Sequence, residues 1–180
     1  MENVKWKVIY TLSRQEKKVA AFLEKMKVEH YLPLYKSLRF WKDRKKWVEF
    51  PLFNGYLFVK PLSNERDLLL QIPGVVRYIR YNAQDAEIPD NQIFLIKEFV
   101  KFGYNLSNLE TTEKLELGDK AEVLDGPLKG QTVEVFIVGD DSYIIVTFEA
   151  LNQSIKVSLP KEILKITEKH SAVETAKSLW

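Results

Sequence analysis

From Lys5 to Tyr10 polar and apolar residues alternate, which predicts a strand with Trp6, Val8 and Tyr10 on one face. A helix follows. Ser13 with Glu16 three residues on is a capping-box pattern. Val19, Phe22, Leu23 and Met26 then recur at helical spacing, with Arg14, Lys17, Lys18 and Lys25 off the apolar stripe. Tyr31 to Phe40 reads as a strand, and Pro33 within it points to a sheet edge. Ser63 or Asn64 starts a short helix through about Gln71, ended by Ile72-Pro73-Gly74. Val75 to Tyr81 is rich in strand formers. Pro89-Asp90 opens a third helix with Ile93, Ile96, Phe99 and Val100 on one side, and Gly103 is its C-terminal stop.

The stretch that organises this half is Pro51 to Val59. Pro51 cannot donate to a ladder, and Asn54-Gly55 bends the chain sharply. Beyond the bend, Tyr56 and Phe58 face one way and Leu57 and Val59 the other. Such a strand is either covered on both faces or leaves its Tyr56/Phe58 side open as a docking surface. These residues alone support both readings equally.

After Gly103 the period changes. Asn105 to about Lys114 is polar and reads as a linker. Ala121–Leu124, Thr132–Val138, Tyr143–Phe148, Ile155–Leu159 and Ile163–Ile166 are short strands separated by turn residues. Five such strands make a small β-barrel, which hides edges that would otherwise aggregate. The predicted fold class is α+β: an N-terminal α/β sandwich over 1–103, a linker over 104–114, a five-stranded barrel over 115–166, and a frayed or weakly helical tail over 167–180.

Charge divides the same way. Residues 1–103 carry 19 Lys+Arg against 12 Asp+Glu, a net of +7; residues 104–180 carry 8 against 13, a net of −5. Opposite signs suit different partners, phosphates for the first half and protein for the second. Cysteine is absent, which excludes disulfide and thiolate chemistry and fits a reducing cytoplasm. No apolar run is long enough to span a membrane, and the N-terminus lacks the pattern of a secretory signal.

The densest charge is Lys36 to Lys46, with six basic residues against Asp43 alone, and Trp41 and Trp47 beside it. It falls at a predicted hairpin tip. Basic residues among aromatics suit phosphate contact with base stacking, whereas a solubilising edge is the plainer reading. The near absence of acids favours nucleic acid. Catalysis finds no support: His30 and His170 are the only histidines, and no metal-ligand spacing, phosphate loop or dinucleotide fingerprint occurs. A binding protein, without cofactor or metal, is therefore expected.

Together these residues resemble the NusG family of transcription elongation factors. Trp6, the basic helix, Pro51–Val59 and Ile72-Pro73-Gly74-Val75 look like its N-terminal (NGN) domain. Leu117-Gly118-Asp119 through Asp125-Gly126-Pro127-Leu128-Lys129-Gly130-Gln131 looks like the start of its SH3-like KOW barrel. The Pro-Leu-Phe-x-x-Tyr-Leu-Phe-Val wording and the basic hairpin look more like operon-specific members, such as RfaH and the capsule-operon antiterminators. Asn54 replaces a common family proline and still suits a turn.

The resemblance implies a transcription antiterminator, not an enzyme, acting in the cytoplasm. Its N-terminal domain would dock on the clamp helices of the largest RNA polymerase subunit through Val8, Tyr10, Phe53, Tyr56, Phe58, Tyr78, Ile93 and Ile96. Ser63-Asn64-Glu65-Arg66 matches the segment that touches the opposite side of the cleft. Arg14, Gln15, Lys18, Arg44 and Lys45 would meet the non-template DNA. Leu128 and Phe136 would serve a barrel partner, either a small-subunit ribosomal protein or Rho. β-Branched residues at 132–138 and 143–146 predict a barrel rather than the helical hairpin known in RfaH. The alternative class is a KOW-type RNA-binding or ribosome-associated protein without a polymerase role, for which the acidic barrel is unsuited.

Overall fold

The structure, a computed structural model, describes residues 4–41, 44–103, 106–108, 118–138 and 141–169. In chain order the first half holds β1 (Trp6–Thr11), α1 (Glu16–Lys25), β2 (Glu29–Tyr31), β3 (Leu34–Trp41), β4 (Arg44–Pro51), β5 (Tyr56–Lys60), α2 (Arg66–Leu69), β6 (Val75–Tyr78), β7 (Arg80–Tyr81), β8 (Gln84–Asp85), β9 (Glu87–Ile88) and α3 (Asp90–Lys101). The second holds β10 (Leu106–Asn108), β11 (Asp119–Val123), β12 (Thr132–Val138), β13 (Asp141–Phe148), β14 (Gln153–Ser158) and β15 (Leu164–Glu168).

The N-terminal sheet runs β2-β5-β1-β6, with β9 also paired to β1, and every pairing is antiparallel. Both faces are covered. On one, Ile9, Leu57, Val59 and Tyr78 meet Val19 and Leu23 of α1 and Leu69 of α2. On the other, Trp6, Val8 and Phe58 meet Ile93, Ile96 and Phe99 of α3. Full burial of such side chains is worth about 1.5–3 kcal/mol each, so the two clusters dominate the stability of this half.

The C-terminal sheet is ordered β10-β14-β13-β12-β11-β15, and its last strand returns beside its first long one. That strand order is consistent with the expected small barrel. Ala121, Val123, Val135, Ile144, Ile155 and Val157 line its buried side. The residues expected to resist a helical state are strands.

Several local expectations need correction. Ser13 does not cap α1. The helix begins at Glu16, Gln15 occupies the cap position, and no side chain closes the cap. Glu16 is spent elsewhere: its Oε1 accepts the Gly55 N–H at 2.9 Å, in a buried position. The strand read from Tyr31 to Phe40 is split at Leu32-Pro33, because proline has no N–H for a ladder. Leu106–Asn108, inside the polar stretch read as linker, pairs with β14 and buries Leu106. Thr167 and Glu168 extend β15 into the stretch read as tail. Residues 42–43, 104–105, 109–117, 139–140 and 170–180, which include part of the expected hairpin tip, linker and tail, lie outside the described residues.

Candidate docking face and basic hairpin

The Asn54-Gly55 turn is held from both sides of the sheet. Gly55 has φ +80, a left-handed value that favours glycine. A Cβ there would lie 2.7 Å from Cε2 of Tyr10. Its carbonyl accepts the Thr11 N–H at 2.7 Å, while its own N–H reaches Glu16. The turn thereby fixes the start of β5, and β5 sets the aromatic register. Val8 faces Phe58, and Tyr10 faces Tyr56, across the central strand pair. The Tyr10 and Tyr56 rings meet edge-on at 5.5 Å, Phe53 meets Phe58 at 5.9 Å, and Tyr31 stacks on Phe58 at 6.4 Å. Lys97 of α3 sits over Trp6 at 5.5 Å and Tyr31 at 5.2 Å. Burial pushes the Tyr31 hydroxyl up to about 12.

Seven of the eight residues expected to form a docking face therefore share one cluster: Val8, Tyr10, Phe53, Tyr56, Phe58, Ile93 and Ile96. Val8, Phe53, Phe58, Ile93 and Ile96 are buried, and only the two tyrosines are part-exposed. Tyr78 belongs to the opposite face, under α1. Its hydroxyl donates to the Arg66 carbonyl at 3.2 Å, and burial pushes it up to about 12. Arg66 in turn donates to both oxygens of Asp85, at 2.7 and 3.0 Å. That guanidinium holds the Asp85 carboxyl below the usual carboxylate range.

The cluster does not end at α3. It continues into the C-terminal unit, where the Phe148 ring meets Phe53 edge-on with centroids 5.3 Å apart. Leu128 is buried and Phe136, half-buried, stacks on Tyr143 at 5.7 Å. Both line a cavity of about 470 Å³ whose wall includes Leu95 of α3. The residues expected to bind a barrel partner thus sit beside the domain contact. Sequence reasoning missed Phe148 and Leu95, since nothing local marks a residue for contact with a distant unit.

The basic residues divide into two groups. Arg14, Gln15 and Lys18 lie at the start of α1, with Arg14 left-handed at φ 62. Arg44 and Lys45 lie on the β3–β4 hairpin, a separate two-stranded ribbon. Lys17 on α1 bridges to Glu49 on β4 at 3.3 Å, the ion pair that ties the groups together. In the ribbon, Leu38 faces Trp47, Phe40 faces Lys45 and Lys36 faces Glu49. The opposite face carries Tyr35, Phe50, Arg39 and Lys46, with the Arg39 guanidinium 5.0 Å from the Phe50 ring. At the hairpin's foot lies a groove of about 1000 Å³, bounded by Trp47, Leu38, Tyr31, Val100 and Leu106.

Among the described residues no cluster of His, Asp and Glu could hold a metal ion, and no helix is long and apolar enough to cross a membrane. The family model described as "Transcription termination factor nusG" matches residues 4–97, more than half of the 180-residue chain. The chain belongs to the NusG family. The structure reported as "Domain interaction in Thermotoga maritima NusG" is similar to it at TM-score 0.58, with 18% identity over 91% of this chain and 97% of that one. That likeness concerns the fold. Two conformations of the MjSpt4:Spt5 complex match at 22% and 20% identity over 92% of this chain and 99% of theirs. Their TM-scores of 0.29 and 0.31 carry no argument. No curated protein matches the sequence. As a member of the NusG family, the chain is a transcription factor.

Proposed function

We propose that this NusG-family chain is an antiterminator, operon-specific in the manner of the specialised members. It grips the clamp helices of the largest RNA polymerase subunit with the aromatic face built on β1, β5 and α3. By binding the active polymerase better than the paused one, it lowers the occupancy of paused states. It catalyses no reaction. Arg14, Gln15, Lys18, Arg44 and Lys45 contact the non-template DNA strand, and phosphate contacts of this kind position without specifying sequence. The C-terminal barrel recruits a small-subunit ribosomal protein or Rho through Leu128, Phe136 and their surroundings, its tether raising the local concentration of that partner.

The observation that carries this reading is the contact between Phe53 and Phe148. The aromatic face is closed by a second small unit rather than by its own sheet and helices alone. A face covered by a separable element is available on demand, and docking competes with that cover. Unlike a permanent core, it presents its apolar area only when the barrel leaves.

Capture of core RNA polymerase by the full chain, followed by a reconstituted elongation assay, tests the proposal. Capture with fewer or shorter pauses supports it. Absence of capture, both for the wild type and for a Phe148→Ala variant that loosens the cover, refutes it.

A further inference from the structure

We propose that the β3–β4 hairpin is a stacking platform for an unpaired nucleic-acid strand, with Phe40 and Trp47 each taking one base. This rests on the reading of the hairpin as a nucleic-acid contact and adds the groups that would hold bases rather than phosphates.

Three observations lead there. The first is exposure. Phe40 is 68% and Trp47 64% exposed, the two most exposed of the chain's large hydrophobic residues among those described. An apolar pair left open on a thin two-stranded ribbon favours self-association, and a ribbon without a function there would carry polar residues. The second is placement. Phe40 faces Lys45 and Leu38 faces Trp47, so Phe40 and Trp47 are diagonal neighbours on one face. Diagonal neighbours lie about 7–8 Å apart. That is about twice the ~3.4 Å step between nucleotides along a duplex strand. Bases resting on both rings therefore belong to an extended single strand, not to a stacked duplex.

The third is charge. Residues 34–51 contain six Lys and Arg against two acids. Lys45 lies 5.2 Å over the Phe40 ring, and Lys36 shares that face. Arg39 and Lys46 occupy the other face of the same thin ribbon. A cation over one exposed ring and a second on the same face, with Glu49 the acid there, match a partner that offers phosphates and π surfaces together. The 1000 Å³ groove beside Trp47 is at the upper end of small-ligand cavities, about 300–1000 Å³, and leaves room for a base turned toward α3.

The test uses the full chain and fluorescence anisotropy with short labelled oligonucleotides: single-stranded DNA, the same sequence as RNA, the DNA duplex, and a single strand with abasic sites. Phe40→Leu and Trp47→Leu each lower affinity for the base-bearing single strand about 5- to 150-fold, the span of one base–aromatic stack. Binding to the abasic strand and the duplex stays unchanged. Phe40→Tyr and Trp47→Phe keep the affinity. Circular dichroism and thermal unfolding check that each variant is folded. Base-dependent loss in the DNA arm or the RNA arm supports the platform and names the strand. Equal loss on base-bearing and abasic strands, or no binding to any oligonucleotide, overturns it and leaves the face to a protein partner. Both leucine variants still capture RNA polymerase, so failure here is distinct from failure of the polymerase reading.

Discussion

Phe53 and Phe148 lie 95 residues apart in sequence, yet their rings meet edge-on, centroids 5.3 Å apart and planes at 84°. One belongs to the turn that starts β5, the other to the end of β13. This pair joins two sheets into a continuous apolar cluster. An aromatic pair in this geometry contributes about 0.5–1.5 kcal/mol beyond the area it buries. A double-mutant cycle with Phe53→Leu and Phe148→Leu, read by urea denaturation, is expected to return a coupling of that size. Additive effects would show that the rings touch without supporting one another.

The Glu16–Gly55 hydrogen bond makes a second prediction. Glu16→Ala leaves the buried Gly55 N–H without its acceptor and costs about 1–3 kcal/mol, whereas Glu16→Gln retains an oxygen there and costs much less. Gly55→Ala adds a left-handed strain of about 1–2 kcal/mol and a clash with the Tyr10 ring. Chemical denaturation midpoints of the three variants check the order.

The Arg66–Asp85 pair predicts a pH dependence. Asp85 has a lowered pKa in the folded chain. Its contribution is therefore fully present above the ordinary carboxylate value of about 3.9 and is lost as pH falls through the lowered folded value. Arg66 is part-exposed, so Asp85→Asn costs only about 1 kcal/mol at neutral pH. Denaturation at stepwise lower pH is expected to bring wild type and variant together. A gap that widens toward acid would contradict the assignment.

The C-terminal strands predict the behaviour of an isolated 115–166 fragment. β12 and β13 pair over Val135–Val138 with Asp141–Ile144, and β13 with β14 over six positions. Far-UV circular dichroism of that fragment is expected to be dominated by strand. A dominant helical spectrum would show that the strands need the N-terminal unit to form.

Local chemistry made much of this legible. Asn54-Gly55 forces a bend wherever it lies, Pro33 interrupts a ladder in any context, and the alternation around Tyr56 and Phe58 marks two faces. The basic hairpin is legible as a run of cations between strand formers, whereas its standing as a two-stranded ribbon apart from the main sheet is not. The failures share a cause. Glu16 looked like a capping residue because its spacing from Ser13 is right, but a buried N–H 39 positions away claimed it. Leu106–Asn108 looked like linker because its neighbours are polar, yet Leu106 gains a buried site beside β14.

The chain's own order of residues was enough to specify the alternation of faces along β1 and β5, the bend between Phe53 and Tyr56, and the positive ribbon. Backbone sterics and side-chain periodicity act over a few residues and need no partner to be read. Tertiary structure alone decided which face of the first sheet is closed by the second unit, that Tyr78 lies on the other side, and that Phe40 and Trp47 stay open to solvent. Those outcomes depend on which apolar surfaces meet across long stretches of chain, and burial is a property of the assembled surfaces rather than of any residue in its local setting.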